Sequence, residues 1–556
     1  MKPIRTRLRR TFLLSLTAAA LLAACGAPRA PTTAASAQPA PKLLVFFVVD
    51  GLPQRQVLQY RDQLVADGFA RFLDRGAWYA NAHYAHAFTV TAAGHATMLT
   101  GAYPHRTGII GNEWRDQHTG MEVYNTGDPD AKYIGHDTKP LDGTSPKNLK
   151  VEALGDVLKK LNPASKVVAI SGKDRGAILP GGKTGTAYMY QSSDGQFASS
   201  SYYMQDHPAW VKAWNGRKLA DRYFKAEWKP LLPDAAYARS LPDAQPWYNG
   251  PPRLPMLMAG AANDDKPTPA FYGSLLRSPY GDALALEFAR AAIAGEELGR
   301  DDAPDILSVS LSGHDYVNHA YSAESRMSHD HFLQLDRLLE AFFRDLDASV
   351  GRDNYVAVLT ADHGFMPAPE FSKAQGRDSG RIDYRAVQER INAGLAQKFG
   401  EGKWMMGYSS ASLLLDKKLI AARGVRLDDV AAAARDLLLK EQGFETAYTR
   451  AELLAGSRAG ALYFDASRKA WHPDVSGEVQ FSLKPYWMFA SRSASTHGSP
   501  HEYDTHVPIL MWGPQWVPAG RVEPRVEVVD LAPTLAQVLH VPAPPAAEGR
   551  LLPAAP

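Results

Sequence analysis

Six residues scattered along the chain are candidate ligands of a metal centre: Asp50, Asp315, His319, Asp362, His363 and His497. Carboxylate oxygen and imidazole nitrogen both suit zinc. Asp315 and His319 are four apart, so on a helix they face the same way. Asp362 and His363 precede Gly364, and adjacent side chains in a turn can point at two different centres. Six donors are enough for two ions with three each, with positions left open to substrate. Two ions roughly 4 Å apart can hold the attacking and leaving oxygens of a displacement. Taken singly these motifs say little, because an Asp-x-x-x-His pair on a helix is usually a surface pair. Their joint order carries the reading.

A hydrolase built on such ions needs a nucleophile. The only cysteine, Cys25, falls in the N-terminal segment, so a hydroxyl must serve. Residues 88–97, FTVTAAGHAT, offer several. A free threonine hydroxyl is a poor nucleophile at neutral pH, and coordination to a divalent ion would activate it as it does water. A turn of small residues leading into a helix would also direct backbone N–H groups at a bound phosphate. The same segment suits Thr91 equally well as a helix N-cap with no chemical role.

These groups need a frame that gathers them. Short apolar, β-branched runs at 43–49, 166–170, 306–311, 355–360 and 507–512 read as buried parallel strands. Helical patterns lie between them. One spans 330–346, where Phe332, Leu335, Leu339, Phe342 and Leu346 recur at helical spacing. Alternation of this kind predicts an α/β fold with a mostly parallel central sheet flanked by helices. Four of the runs lead directly into Asp50, Lys173-Asp174-Arg175, His314-Asp315 and Asp362-His363. In an open α/β sheet the ligand crevice lies beyond the carboxyl ends of the strands, so four segments should deliver their groups to one edge. Stretches at about 184–275 and 370–487 read as insertions that could roof it, the second with helical patterns at 385–399 and 427–441.

Residues 1–25 read as an export signal. Lys2, Arg5, Arg7, Arg9 and Arg10 precede an apolar stretch too short to span a membrane comfortably. Leu22-Ala23-Ala24-Cys25 resembles a bacterial lipoprotein cleavage box, which would make Cys25 the lipidated first residue of a periplasmic protein. Gly26 leans toward the outer membrane. Residues 26–41 form an Ala/Pro-rich tether, 42–545 one catalytic domain and 546–556 a tail. No later stretch is apolar enough to span a bilayer. The net charge of +2 gives no strong field to attract nucleic acid.

Longer motifs sharpen the reading: Thr91-x-x-Gly94-His95, Thr100-Gly101, Pro104, Gly108-Ile109-x-Gly111-Asn112-x-Trp114, Gly172-Lys173-Asp174-Arg175, Asp315-x-x-x-His319, Thr360-Ala361-Asp362-His363-Gly364, Thr496-His497-Gly498-Ser499-Pro500, Asp504-Thr505-His506-Val507-Pro508 and Asp530-Leu531-Ala532-Pro533-Thr534. Over nearly the whole mature chain these resemble the threonine-nucleophile alkaline phosphatases of Gram-negative bacteria, in the superfamily that includes nucleotide pyrophosphatase/phosphodiesterases. The resemblance implies an alkaline-phosphatase-like core with inserted cap segments, and two zinc ions per chain. One zinc would take Asp315, His319 and His497, the other Asp50, Asp362 and His363 together with Thr91. It implies hydrolysis of small phosphate monoesters through a phosphothreonine at Thr91, with Asn112, Lys173 and Arg175 on the phosphoryl oxygens. Two cations there favour a monoester dianion over a diester. The rival readings are a phosphodiesterase or nucleotide pyrophosphatase on the same metals, and an envelope lipoprotein that binds without turnover. A cysteine-type sulfatase lacks its cysteine. The chain departs from the family at Glu113, at Thr107 and at Ala92-Ala93, which stand where relatives carry a neutral polar residue, a His and a Pro-containing turn. Of the remaining histidines, His95, His314, His501 and His506 are expected to pack or to orient ligands, and His83, His86, His329 and His331 to lie at the surface.

Overall fold

The computed structural model describes residues 38–117 and 119–555. The export signal, Cys25 and most of the tether lie outside the described residues. The central sheet has nine strands: β1 (Leu43–Val49), β2 (Ala77–Tyr79), β3 (Val167–Ser171), β4 (Thr186–Gln191), β5 (Gln196–Ala198), β6 (Asp305–Leu311), β7 (Tyr355–Thr360), β8 (Ile509–Trp512) and β9 (Gly520–Val522). Their order across the sheet is β9-β2-β8-β7-β1-β6-β3-β4-β5. All seven residues of β1 are buried, which explains its unbroken run of apolar residues: helices cover both faces, so neither face can be polar. Phe47 of β1, for example, meets Phe342 and Phe343 edge-on at 5.5 and 5.6 Å on the helix Arg326–Leu346.

The block β4-β3-β6-β1-β7 is parallel. Its register aligns the strand ends: Val49 pairs with Leu311, Val48 with Thr360, and Ser310 with Ser171. The residues that follow therefore emerge in one row. The run at 507–512 departs from expectation, because β8 lies antiparallel to β7, with Thr360 opposite Ile509. A continuous apolar run reports burial and carries no direction. The reversal has a consequence for the site: β8 is entered from the same edge at which the parallel strands end, so the loop ahead of it, with His497, lies at that edge.

The helices that concern the site are α1 (Thr91–Thr100), α2 (Asp174–Gly181), α3 (Pro279–Gly295), α4 (Gly313–Tyr321) and α5 (Arg326–Leu346). Beyond about residue 380 the chain builds a second layer. Antiparallel strands Met405–Ser409, Ser412–Leu415, Val479–Leu483 and Phe444–Thr449 pack with helices Tyr384–Phe399 and Leu427–Leu438 around a separate core that includes Ile391, Trp404, Val430 and Phe481. Its 409–412 turn rests on residues near the site, where Arg115 N donates to Ser409 Oγ at 3.0 Å and Ser410 Oγ donates to the Glu113 carbonyl at 2.6 Å. The stretch from 184 begins inside the main sheet, since β4 and β5 form its far edge.

Four histidines expected at the surface are buried: His83, His86, His329 and His331. His329 stacks on Tyr60 with ring centres 3.5 Å apart and shares hydrogen bonds with Ser240 Oγ and Gln63 Oε1. His331 lies 3.3 Å from Asp282 Oδ2 and 3.3 Å from the ring of His314. Helix α5 is enclosed on more than its apolar stripe, so its polar positions are covered as well. Among the described residues, no helix is long and apolar enough to cross a membrane.

Candidate active site

The row of strand ends collects the six donors. Asp50 follows β1, and its N–H donates to the Leu311 carbonyl of β6 at 3.0 Å. Asp315 and His319 lie one turn apart on α4. Asp362 and His363 follow β7, and His497 stands on the loop that enters β8. His319 Nε2 is 3.4 Å and His497 Nε2 3.6 Å from Asp315 Oδ1. His363 Nε2 is 3.6 Å from Asp50 Oδ1, 3.4 Å from Asp362 Oδ2 and 4.0 Å from Asp315 Oδ1. Two sets have mutual donor distances within 4.8 Å: Asp315 with His319 and His497, and Asp50 with Asp315 and His363. Asp315 thus borders both; Asp362, expected with Asp50 and His363, is outside these two sets, its Oδ2 lying 3.4 Å from His363 Nε2.

These residues fit a pair of cations by a test internal to the structure. Among the described residues, Asp50 Oδ1, Asp315 Oδ1 and His363 Nε2 are buried with no hydrogen-bond partner, and Asp362 Oδ2 has only the His95 ring at 3.2 Å. Unsatisfied buried groups of this kind are costly unless something binds them. The histidines are oriented to match. His319 Nδ1 bonds the Ser495 carbonyl at 3.0 Å, His363 Nδ1 that of Gly364 at 2.9 Å and His497 Nδ1 that of Thr89 at 2.9 Å. Each carbonyl fixes the proton on Nδ1 and leaves the Nε2 lone pair facing the carboxylates.

Electrostatics point the same way. Burial, reinforced by Asp362, raises the Asp50 carboxyl well above the usual range, although Lys173 opposes the rise. Burial would raise Asp315 as well, but Lys173 and the three histidines outweigh it and hold the group well below the ordinary value. Asp362 is likewise lowered against burial, by His363 and His95. Burial lowers His497 and His363, keeping them neutral and able to bind metal. Lys173 is the cation amid this charge: its Nζ lies 2.5 Å from Asp315 Oδ2 and 2.8 Å from Asp50 Oδ2. Burial would lower its pKa, but the two carboxylates raise it.

Thr91 opens α1 as its first helical residue. The N-cap is Val90, which makes no side-chain cap bond, so Thr91 does not serve as the cap. The helix presses against the turn that follows β7. A Cβ added to Gly94 would meet the Asp362 carbonyl oxygen at 2.2 Å, and His95 Nδ1 lies 3.2 Å from Asp362 Oδ2. His95 also bonds the Thr91 carbonyl at 2.9 Å and Ser310 Oγ at 2.8 Å, so it ties the first turn of α1 to β6. Asn112 Oδ1 accepts from Ala92 N at 2.9 Å, which brings Asn112 beside Thr91. Arg175, on the first turn of α2, donates to Tyr124 Oη at 3.0 Å, and Tyr124 donates to Asp174 Oδ1 at 2.6 Å. A cavity of about 560 Å³ adjoins the centre, lined by Asn112, Glu113, Trp114, Tyr408, Thr496 and His497 among others. Glu113, one of the departures from the family pattern, is exposed at its wall.

Sequence reasoning did not single out Tyr124, Thr89 or Asp504. Asp504 is buried beside the His497 loop, and burial pushes its carboxyl up to about 8 against the pull of Ser499. It falls inside a motif already quoted, so a signal for it existed. Thr89 acts through its backbone and hydroxyl, and Tyr124 lies in a strand with no local mark.

The model describing type I phosphodiesterase / nucleotide pyrophosphatase matches residues 44–506. Alkaline phosphatase PafA of Elizabethkingia meningoseptica is 32% identical over 524 residues, covering 93% of this chain and 94% of the relative. Alkaline phosphatase PhoV of Synechococcus elongatus is 33% identical over 528 residues, 92% of each chain. A Myroides odoratus protein named calcium-transporting ATPase is 35% identical over 514 residues, 90% of this chain and 92% of its own. The crystal structure of wild-type PafA superposes with a TM-score of 0.86 at 31% identity, over 93% of this chain and 99% of that one. By its matched span, its α/β sheet and its likeness to these enzymes, the chain belongs to the type I phosphodiesterase/nucleotide pyrophosphatase family, in the alkaline phosphatase superfamily.

Proposed function

We propose that this protein is an alkaline phosphatase, a phosphate monoester hydrolase that holds two zinc ions and forms a phosphothreonine at Thr91. The observation that carries the reading is the convergence of two donor groups, Asp315 with His319 and His497 and Asp50 with Asp315 and His363, at one edge of the sheet, with Asp362 Oδ2 3.4 Å from His363 Nε2. Bound there, two zinc ions would supply Lewis acidity, lowering the pKa of a hydroxyl and balancing charge on a leaving oxygen. Thr91 Oγ1 gives up its proton to water and attacks phosphorus in line. The Oγ1–P bond forms as the ester P–O bond breaks, and the departing alkoxide takes a proton from water. Water then attacks the phosphothreonine, the Oγ1–P bond breaks, and phosphate leaves as Thr91 regains its proton. Asn112, Lys173 and Arg175 hold the phosphoryl oxygens throughout, so catalysis is positioning plus charge stabilisation. The names of the alkaline phosphatase relatives support monoesters over diesters.

Thr91→Ala is expected to abolish turnover of a phenyl phosphate monoester while retaining about two zinc ions per chain by elemental analysis. Undiminished turnover would remove Thr91 from its role, and faster cleavage of the matching diester by the unaltered protein would favour the phosphodiesterase. The basic and apolar N-terminus supports export, with lipid attached at Cys25. Cys25→Ala should release the protein from the membrane fraction, and continued sedimentation with membranes would sink that reading.

A further inference from the structure

His497 stands on a segment, residues 490–501, with no helix or strand of its own. Its Nε2 must nevertheless keep a fixed place beside Asp315. Asp504, on the short helix Glu502–Thr505, connects this loop to the rest of the site. Its Oδ2 accepts from Ser499 N at 2.9 Å and from Ser499 Oγ at 2.5 Å. Ser499 is in turn locked to Thr89: Ser499 N donates to Thr89 Oγ1 at 3.1 Å, and Thr89 Oγ1 donates to the Ser499 carbonyl at 2.9 Å. The Thr89 carbonyl is the acceptor that orients His497 Nδ1, and Thr91 lies two residues on. On its other side, the Asp504 carbonyl accepts from Gly364 N at 2.7 Å, and the Gly364 carbonyl orients His363 Nδ1. That approach leaves no room for a side chain, since a Cβ at Gly364 would meet the Tyr503 carbonyl oxygen at 2.1 Å. The His363 and His497 rings, oriented by two routes that meet at Asp504, stack 3.4 Å apart at 10°.

We propose that Asp504 is a positioning residue that sets the spacing of His497, His363 and the Thr89–Thr91 segment, and so the metal affinity of the site. It touches none of the six donors through its side chain. The proposal rests on the two-zinc reading of those donors. Removing the carboxylate frees Ser499, then the Thr89–Ser499 clamp, then the ring that the clamp aims. Partners bonded directly to a ligand change metal affinity by roughly 10- to 100-fold when lost; the Asp504 carboxylate acts through Ser499 and Thr89, so its loss should cost about 10-fold or less.

The test uses the zinc-loaded full chain and three variants, Asp504→Ala, Asp504→Asn and Ser499→Ala. The readouts are zinc affinity by chelator competition, thermal midpoint, and kcat and KM on a phosphate monoester. Asp504→Ala should weaken zinc by about 3- to 10-fold, less than the loss of a direct partner, and lower kcat with KM little changed. Asp504→Asn, which keeps one acceptor oxygen for Ser499, should recover most of the affinity, and Ser499→Ala should fall between. If Asp504→Ala fails to fold, the other two carry the test. Zinc affinity at the wild-type value in Asp504→Ala, or in both Asp504→Asn and Ser499→Ala where the alanine variant does not fold, would overturn the proposal, including where the thermal midpoint drops, because that pattern means scaffolding alone. An unaltered protein that binds zinc but hydrolyses no monoester would defeat the phosphatase reading, while the affinity series would still decide the role of Asp504.

Discussion

The Arg175 guanidinium donates through Nη1 to Tyr124, and Tyr124 is itself braced on Asp174. Burial works against its charge, and Tyr124 with Asp174 more than restores it. A planar fork held this way can meet two phosphoryl oxygens at once, which an ammonium cannot do. Arg175→Ala should therefore lower kcat/KM for a monoester by about 10²-fold, cost a diester less than about 10-fold, and be rescued only in part by Arg175→Lys. Equal losses on both substrates in parallel rate measurements would take Arg175 off the phosphoryl group. The six donors were legible at this scale because their types are rare in combination and because Asp50, Asp315 and the Asp362-His363 pair lie just past apolar runs, whereas His319 rested on its helical spacing from Asp315 and His497 on its motif. Their Nδ1 acceptors were not legible. The carbonyls of Thr89, Gly364 and Ser495 belong to the backbone, and no residue type announces a carbonyl.

At the scale of elements, apolar runs marked β1, β3, β6, β7 and β8 and the α/β alternation marked the edge to which they lead, while β2, β4, β5 and β9, toward the two sides of the sheet, went unread. The direction of β8 was not readable, because both directions bury the same side chains. Gly94 is a second instance. In the sequence it is one small residue among several, and its reason becomes visible only where α1 crosses the turn after β7. There the Asp362 carbonyl oxygen stands 2.2 Å from the site of a Cβ. Backbone on both sides cannot yield as a flexible side chain would. Gly94→Ala should lift the first turn of α1 off Asp362, at a stability cost of about 1–3 kcal/mol. Because Thr91 is in that turn, monoester turnover should fall by about 10²-fold or more, as displacements near 1 Å do. A variant with native melting and full turnover would show that the helix tolerates the methyl and that its seat does not place Thr91.

At the scale of the whole molecule, what the sequence hides is how far burial extends. His86 reads locally as a polar residue in a loop, yet it is enclosed with neither ring nitrogen hydrogen-bonded. Burial, with a smaller push from Lys469, lowers its pKa to about 3; burial likewise brings His83 and His329 to about 3. The sign of the pH effect follows. Below the ordinary value of 6.5 the unfolded chain binds a proton at each of these rings and the native chain does not. Their contribution is complete above that value and is lost as pH falls toward 3. Each group steepens the loss by at most about 1.4 kcal/mol per pH unit. In His86→Phe the native state has nothing to protonate at that position and neither has the unfolded state, so one group's share of the slope disappears. Zinc release in acid is common to both proteins and cancels in the comparison. Between pH 6 and pH 5 the unfolding free energy of the wild type should therefore fall by about 1 kcal/mol more than that of His86→Phe, measured by denaturant titration at each pH. Parallel slopes would mean that His86 takes up its proton in the folded state, and its burial would then have to be relieved by a partner such as water.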